Sequence, residues 1–96
     1  MGQQVKKITY YSGDLINGDL KSFKTYEEAH QDYSDMAENG AKIILEALPH
    51  LPPEVAARRS LNFHYVRKVT EMIDKEGNEV TESEILDGGV EDNTDD

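Results

Sequence analysis

The chain has 96 residues, 36% of them hydrophobic, and its twenty acidic side chains outnumber the ten basic ones for a formal charge of −10. That length suits one domain with a modest core and excludes two. Cysteine is absent, which excludes disulfides and thiolate metal sites. No apolar run approaches the roughly 18 residues of a membrane span, and no apolar segment of signal-peptide type follows the polar residues 1–7, so a soluble, cytoplasmic protein is expected.

The charge is unevenly placed. Nine acids and no Lys or Arg follow Lys75, leaving eleven acids against ten bases in residues 1–75, a net of −1. The sequence therefore predicts a near-neutral domain over residues 1–82 and an acidic, flexible tail over residues 83–96.

Residues 5–11 are rich in β-branched and aromatic side chains, with Val5, Lys7, Thr9 and Tyr11 alternating with Lys6, Ile8 and Tyr10, which predicts a strand over residues 4–12. Asn17 and Gly18 tolerate the positive φ angles of a type I′ turn and would return the chain into a second strand over residues 20–24, although residues 12–20 also read as an exposed loop. Thr25 is a good N-cap, and Glu28 three residues on can close a capping box. From there Tyr26, Ala29, Tyr33, Met36, Ala37, Gly40, Ile44 and Leu48 recur every three or four residues, which predicts one long amphipathic helix over residues 25–48. Pro49 and Pro52-Pro53 end it. Pro53 then suits the first position of a helix of one or two turns through Ala57.

Residues 61–73 fit both periods. Leu61, Tyr65, Val69, Met72 and Ile73 make a helical stripe, yet Phe63, Tyr65, Val66, Val69 and Thr70 are strand formers. The Gly-containing segment 74–79 resembles a hairpin connection, so 61–73 is assigned as a strand with residues 78–83 as its partner. Beyond Glu82 the acid-rich composition cannot bury enough apolar surface to offset the entropy of ordering, and residues 87–96 are expected to be disordered. The fold class is α+β: a small antiparallel sheet, order ββαββ, covered on one face by one long helix. An all-α chain with a second helix over residues 54–75 is the alternative.

No linear motif carries chemistry. His30, His50 and His64 sit on three different elements without paired ligand spacing, Gly77 is misplaced for a calcium loop begun at Asp74, and the glycines form no phosphate cradle. No enzyme activity, cofactor or metal is expected. Arg58, Arg59, Arg67 and Lys68, with Phe63 and Tyr65 nearby, have the composition of a nucleic-acid surface, but the near-neutral body and acidic tail argue against that partner. Tyr10, Tyr11 and Tyr65 supply contact area with a polar end that can stay wet, which suits a protein partner or self-association. The leading expectation is a non-enzymatic protein-binding or adaptor protein. The alternative is an acidic regulator that engages a basic nucleic-acid-binding protein through its tail.

Overall fold

A computed structural model describes residues 4–90, which form β1 (Gln4–Asp14), β2 (Gly18–Phe23), α1 (Tyr26–Ala47), α2 (Pro53–Phe63), β3 (His64–Ile73) and β4 (Glu79–Gly88). The strands make one antiparallel sheet in the spatial order β2-β1-β3-β4. The α+β class and the four-stranded antiparallel sheet agree with the sequence reading. The order agrees in part: the two hairpins flank the helical segment as in ββαββ, but the short helix expected at Pro53 is the longer α2, so two helices rather than one form the second layer.

Each hairpin turns on an aspartate. Asp14 Oδ1 accepts the amides of Ile16 at 2.9 Å and Asn17 at 2.7 Å, and Asp74 Oδ1 accepts those of Glu76 at 2.9 Å and Asn78 at 2.8 Å. A short carboxylate that binds amides a few residues ahead holds the chain in reversal. The only positive φ in the first turn is at Gly18, so the predicted type I′ turn, which needs two, is not formed.

Thr25 caps α1 from an extended backbone, accepting the Glu28 amide at 3.2 Å. The Glu28 carboxylate returns to the Thr25 hydroxyl at 3.1 Å. Ala29, Tyr33 and Ala37 then fall four residues apart and are the buried residues of the helix. Ala29 and Tyr33 meet Val66 of β3, and Tyr10, Phe23 and Tyr26 pack around them as the core. Val66 is fully buried. Removing an aliphatic side chain of that size from water contributes about 1.5–3 kcal/mol.

α2 reaches Phe63, far beyond the one or two turns expected, and β3 starts at His64 rather than at residue 61. Close packing against α1 overrides the β propensity of this stretch. Ser60 donates to the Ala37 carbonyl at 2.6 Å, Tyr33 donates to the Leu61 carbonyl at 2.8 Å, and a Cβ at Gly40 would collide with the Ser60 side chain. The helices can approach this closely because small residues face each other.

β4 likewise continues where a tail is expected from residue 83. Glu79, Glu82 and Glu84 stay exposed on an edge strand, so an acidic composition does not prevent pairing. Beyond the strand, Gly89 donates to the His64 carbonyl at 2.8 Å and Val90 to the Asn62 carbonyl at 2.9 Å. Gly88 has φ 62°, and a Cβ there would run into the carbonyl oxygens of Leu61 and His64. The remainder of the expected tail, residues 91–96, lies outside the described residues.

Candidate interaction surface

Both helices lie on one side of the sheet, the side that holds Tyr10, Ser12 and Val66. Strand alternation puts Tyr11, Arg67, Val69, Ser83 and Ile85 on the other side, which no described element covers. Arg67 organises this open face. Its Nε donates to Asp19 Oδ1 at 3.2 Å, its Nη2 forms a second, short bond to Asp19 Oδ2, and its Nη1 donates to Ser83 Oγ at 2.9 Å. The guanidinium also lies 5.1 Å from the centre of the Tyr11 ring, so one side chain joins all four strands. Tyr65, buried beneath, donates to Asp19 Oδ1 at 2.6 Å.

The electrostatics follow from this geometry. The Arg67 hydrogen bonds hold the Asp19 carboxyl below the usual carboxylate range, helped by the Tyr65 hydroxyl and opposed by burial. Burial and the bond to Asp19 push the Tyr65 hydroxyl up to about 12. The Arg67 pKa rises through the same pairing. A guanidinium held in a fixed plane over an aromatic ring is a preorganised contact, and Arg and Tyr are the residues on which interfaces most depend.

The candidate residues read from the sequence divide between several places. Tyr11, Tyr65 and Arg67 converge on the open face. Tyr10 lies on the helix side, its ring edge-on to Tyr26 at 6.3 Å. Lys68 is opposite Tyr10 and Glu84 in register, on that same side, and lines a shallow hollow with Glu82 and Glu84. Phe63 ends α2 with its ring edge-on to His64 at 5.1 Å. Arg58 and Arg59 belong to α2. Arg67 and Lys68 therefore face opposite ways, and the four bases share no single strand face.

Asp19 and Asp87 escaped the sequence reading, one placed in a turn and the other in the tail. Asp87 accepts the Tyr26 hydroxyl at 2.7 Å and lies 3.3 Å from His30 Nδ1, fastening β4 to α1. The bond to Asp87, with burial, pushes the Tyr26 hydroxyl up to about 12. A tyrosine that holds its proton this firmly is a fastener, not a base. Among the described residues no group of three or more His, Cys, Asp or Glu side chains could hold a metal ion, and no helix is long and apolar enough to cross a membrane.

The sheet margins differ from its faces. β2 pairs with Tyr10 to Asp14 of β1, whereas β3 follows β1 from Gln4 to Asp14, so residues 4–9 have no described strand on their outer side. Beside this free edge is a notch of about 420 Å³ lined by Lys7, Ile8, Phe23, Lys24 and Glu28, among others. Lys7 and Lys24 make this margin basic and Glu82 and Glu84 make the β4 margin acidic, whereas Lys6 pairs with Glu79 at 3.0 Å and Lys21 with Asp32 at 3.1 Å. No protein-family model, curated protein or solved structure matches the chain.

Proposed function

We propose that this protein is a non-enzymatic protein-binding module whose working surface is the open face of the sheet. The observation that carries this reading is the Arg67 guanidinium, fixed by Asp19 and Ser83 over the Tyr11 ring on a face that no described element covers. Val69 and Ile85 add apolar area beside it, Ile85 being 47% exposed. Apolar area around an Arg–Tyr centre is the composition of an interface core.

Affinity capture from a lysate of the source organism tests this, using the full chain, a chain ending at residue 90, and Val69→Glu. The reading expects one partner, retained at high salt by the first two and lost with Val69→Glu, because a charge in the middle of an apolar contact opposes docking. Capture unaffected by Val69→Glu contradicts it.

The acidic-regulator reading remains the second proposal, favoured by one observation. Glu79, Glu82 and Glu84 are exposed along β4 and lead towards Glu91, Asp92, Asp95 and Asp96. That reading expects a basic partner that is lost both at high salt and on truncation at residue 90.

A further inference from the structure

We propose that the free edge of β1, residues 4–9, receives the outer edge of β4 from a second copy of this chain, so that the sheet continues from one molecule into the next. This proposal stands apart from the open-face reading and uses different residues.

Both edges offer unpaired backbone. Residues 4–9 of β1 have β3 on one side and no described strand on the other, and β4 occupies the sheet margin along its whole length. A row of unpaired amides and carbonyls is a template for another strand. The charges decide which strand it accepts. If two β1 edges met antiparallel about their midpoint, Lys6 of each would lie opposite Lys7 of the other, and two β4 edges would set Glu82 and Glu84 of each strand within one residue of those of the other. Like charges directly across a ladder are destabilising. Only the pairing of a β1 edge with a β4 edge is complementary.

The side chains agree with the charges. Val80, Glu82 and Glu84 share the side of β4 that faces the same way as Ile8 on β1, as their register through Met72, Thr70 and Lys68 shows. Laid antiparallel along β1, an incoming β4 is turned over relative to its own sheet, so Glu82 and Glu84 come to the face of Lys7 and Lys24, which alternate with Ile8 and Phe23 around the notch. Glu28, the one acid lining the notch, accepts a hydrogen bond from the Thr25 hydroxyl. β2 blocks the edge from Tyr10 onward, and the register shift between Val5 and Lys7 leaves Lys6 out of the ladder, so the new pairing covers at most six residues, about 20 Å at about 3.3 Å per residue. One short ladder binds weakly. Because donor and acceptor edges lie on opposite margins, each added copy leaves both kinds of edge free, and association is head-to-tail.

Sedimentation velocity on the full chain, from about 10 μM to about 1 mM, tests the proposal across the range of weak association. Two charge-reversed variants accompany it, Lys7→Glu with Lys24→Glu and Glu82→Lys with Glu84→Lys. All four positions are exposed and none forms an ion pair among the described residues, so the variants should fold, which thermal melts by circular dichroism verify. The native chain should sediment faster as concentration rises at low salt. At about 1 M salt, where the screening length is about 3 Å, its association should weaken at least about tenfold. Each variant alone should remain monomeric, and an equimolar mixture should associate again. A native chain that stays monomeric throughout, association that persists in either variant alone, or a mixture that stays monomeric while the native chain associates would each overturn the proposal.

Discussion

β1 and β3 lie side by side from Gln4 to Asp14, yet the two ends of that pairing differ. At one end Ser12 faces Val66 and both are fully buried beneath α1, whereas at the other Val5 is 55% exposed and Ile8 38%. Residue type does not explain this, since β-branched aliphatic side chains occupy both ends. The position of α1 does: it crosses the sheet over Tyr10, Phe23 and Val66, and its second half continues along α2. Met72 at the bare end is buried between Val5 and Val80, its neighbours in register on the two flanking strands. One end is closed under α1, and the other lies outside its cover.

Breaking the closure over the covered end should have the largest effect. Gly88→Ala forces a Cβ towards two carbonyl oxygens at a φ that side chains rarely adopt, and should destabilise the protein by about 3 kcal/mol or more in urea unfolding. Val66→Ala, which empties the centre of the core, should cost about 2–3 kcal/mol. The matching truncation at the bare end, Val5→Ala, should change stability by less than about 0.5 kcal/mol, because a half-exposed site leaves little cavity. Equal costs at the two positions would erase the distinction.

The pH dependence sharpens the same comparison. Asp19 is held low by Arg67, and Asp14 is held low by the amides of Asn17 and Ile16 despite the opposing effect of burial. A carboxyl depressed on folding adds stability above its unfolded pKa of about 3.9 and loses it as pH falls towards the folded value. Stability should therefore decline below about pH 4, less steeply in Asp19→Asn. Tyr26 and Tyr65 are raised to about 12, so their contribution is whole below the unfolded value of about 10 and lost as pH rises through about 12. Tyr65→Phe should flatten that alkaline limb in equilibrium unfolding followed from pH 8 upward.

Local signals in the sequence were faithful where one element sufficed. The Thr25 cap, the Ala29, Tyr33 and Ala37 stripe, the helix-breaking prolines and the strand alternation of β1 are all visible without a fold. The extent of α2 was not, because it depends on Ser60 reaching the Ala37 carbonyl across space while Phe63 and Tyr65 suggest a strand locally. β4 is masked for a related reason: its acidity reads as disorder, although an edge strand can keep its acids in water and anchor Asp87 to Tyr26. Of the candidate surface, Tyr11, Tyr65 and Arg67 were legible as residue types, but their common partner Asp19 was not, since 46 residues separate it from Tyr65. The opposed charges of the two margins emerge only once the strand order is known.

Amide hydrogen exchange, read residue by residue along β1 at low and at high protein concentration, tests the division between the two ends most directly. In dilute solution residues 10–14, paired on both sides, should exchange slowly and residues 4–9 faster, and at high concentration and low salt protection should rise in residues 4–9 alone. Uniform protection along β1 that does not change with concentration would contradict the account.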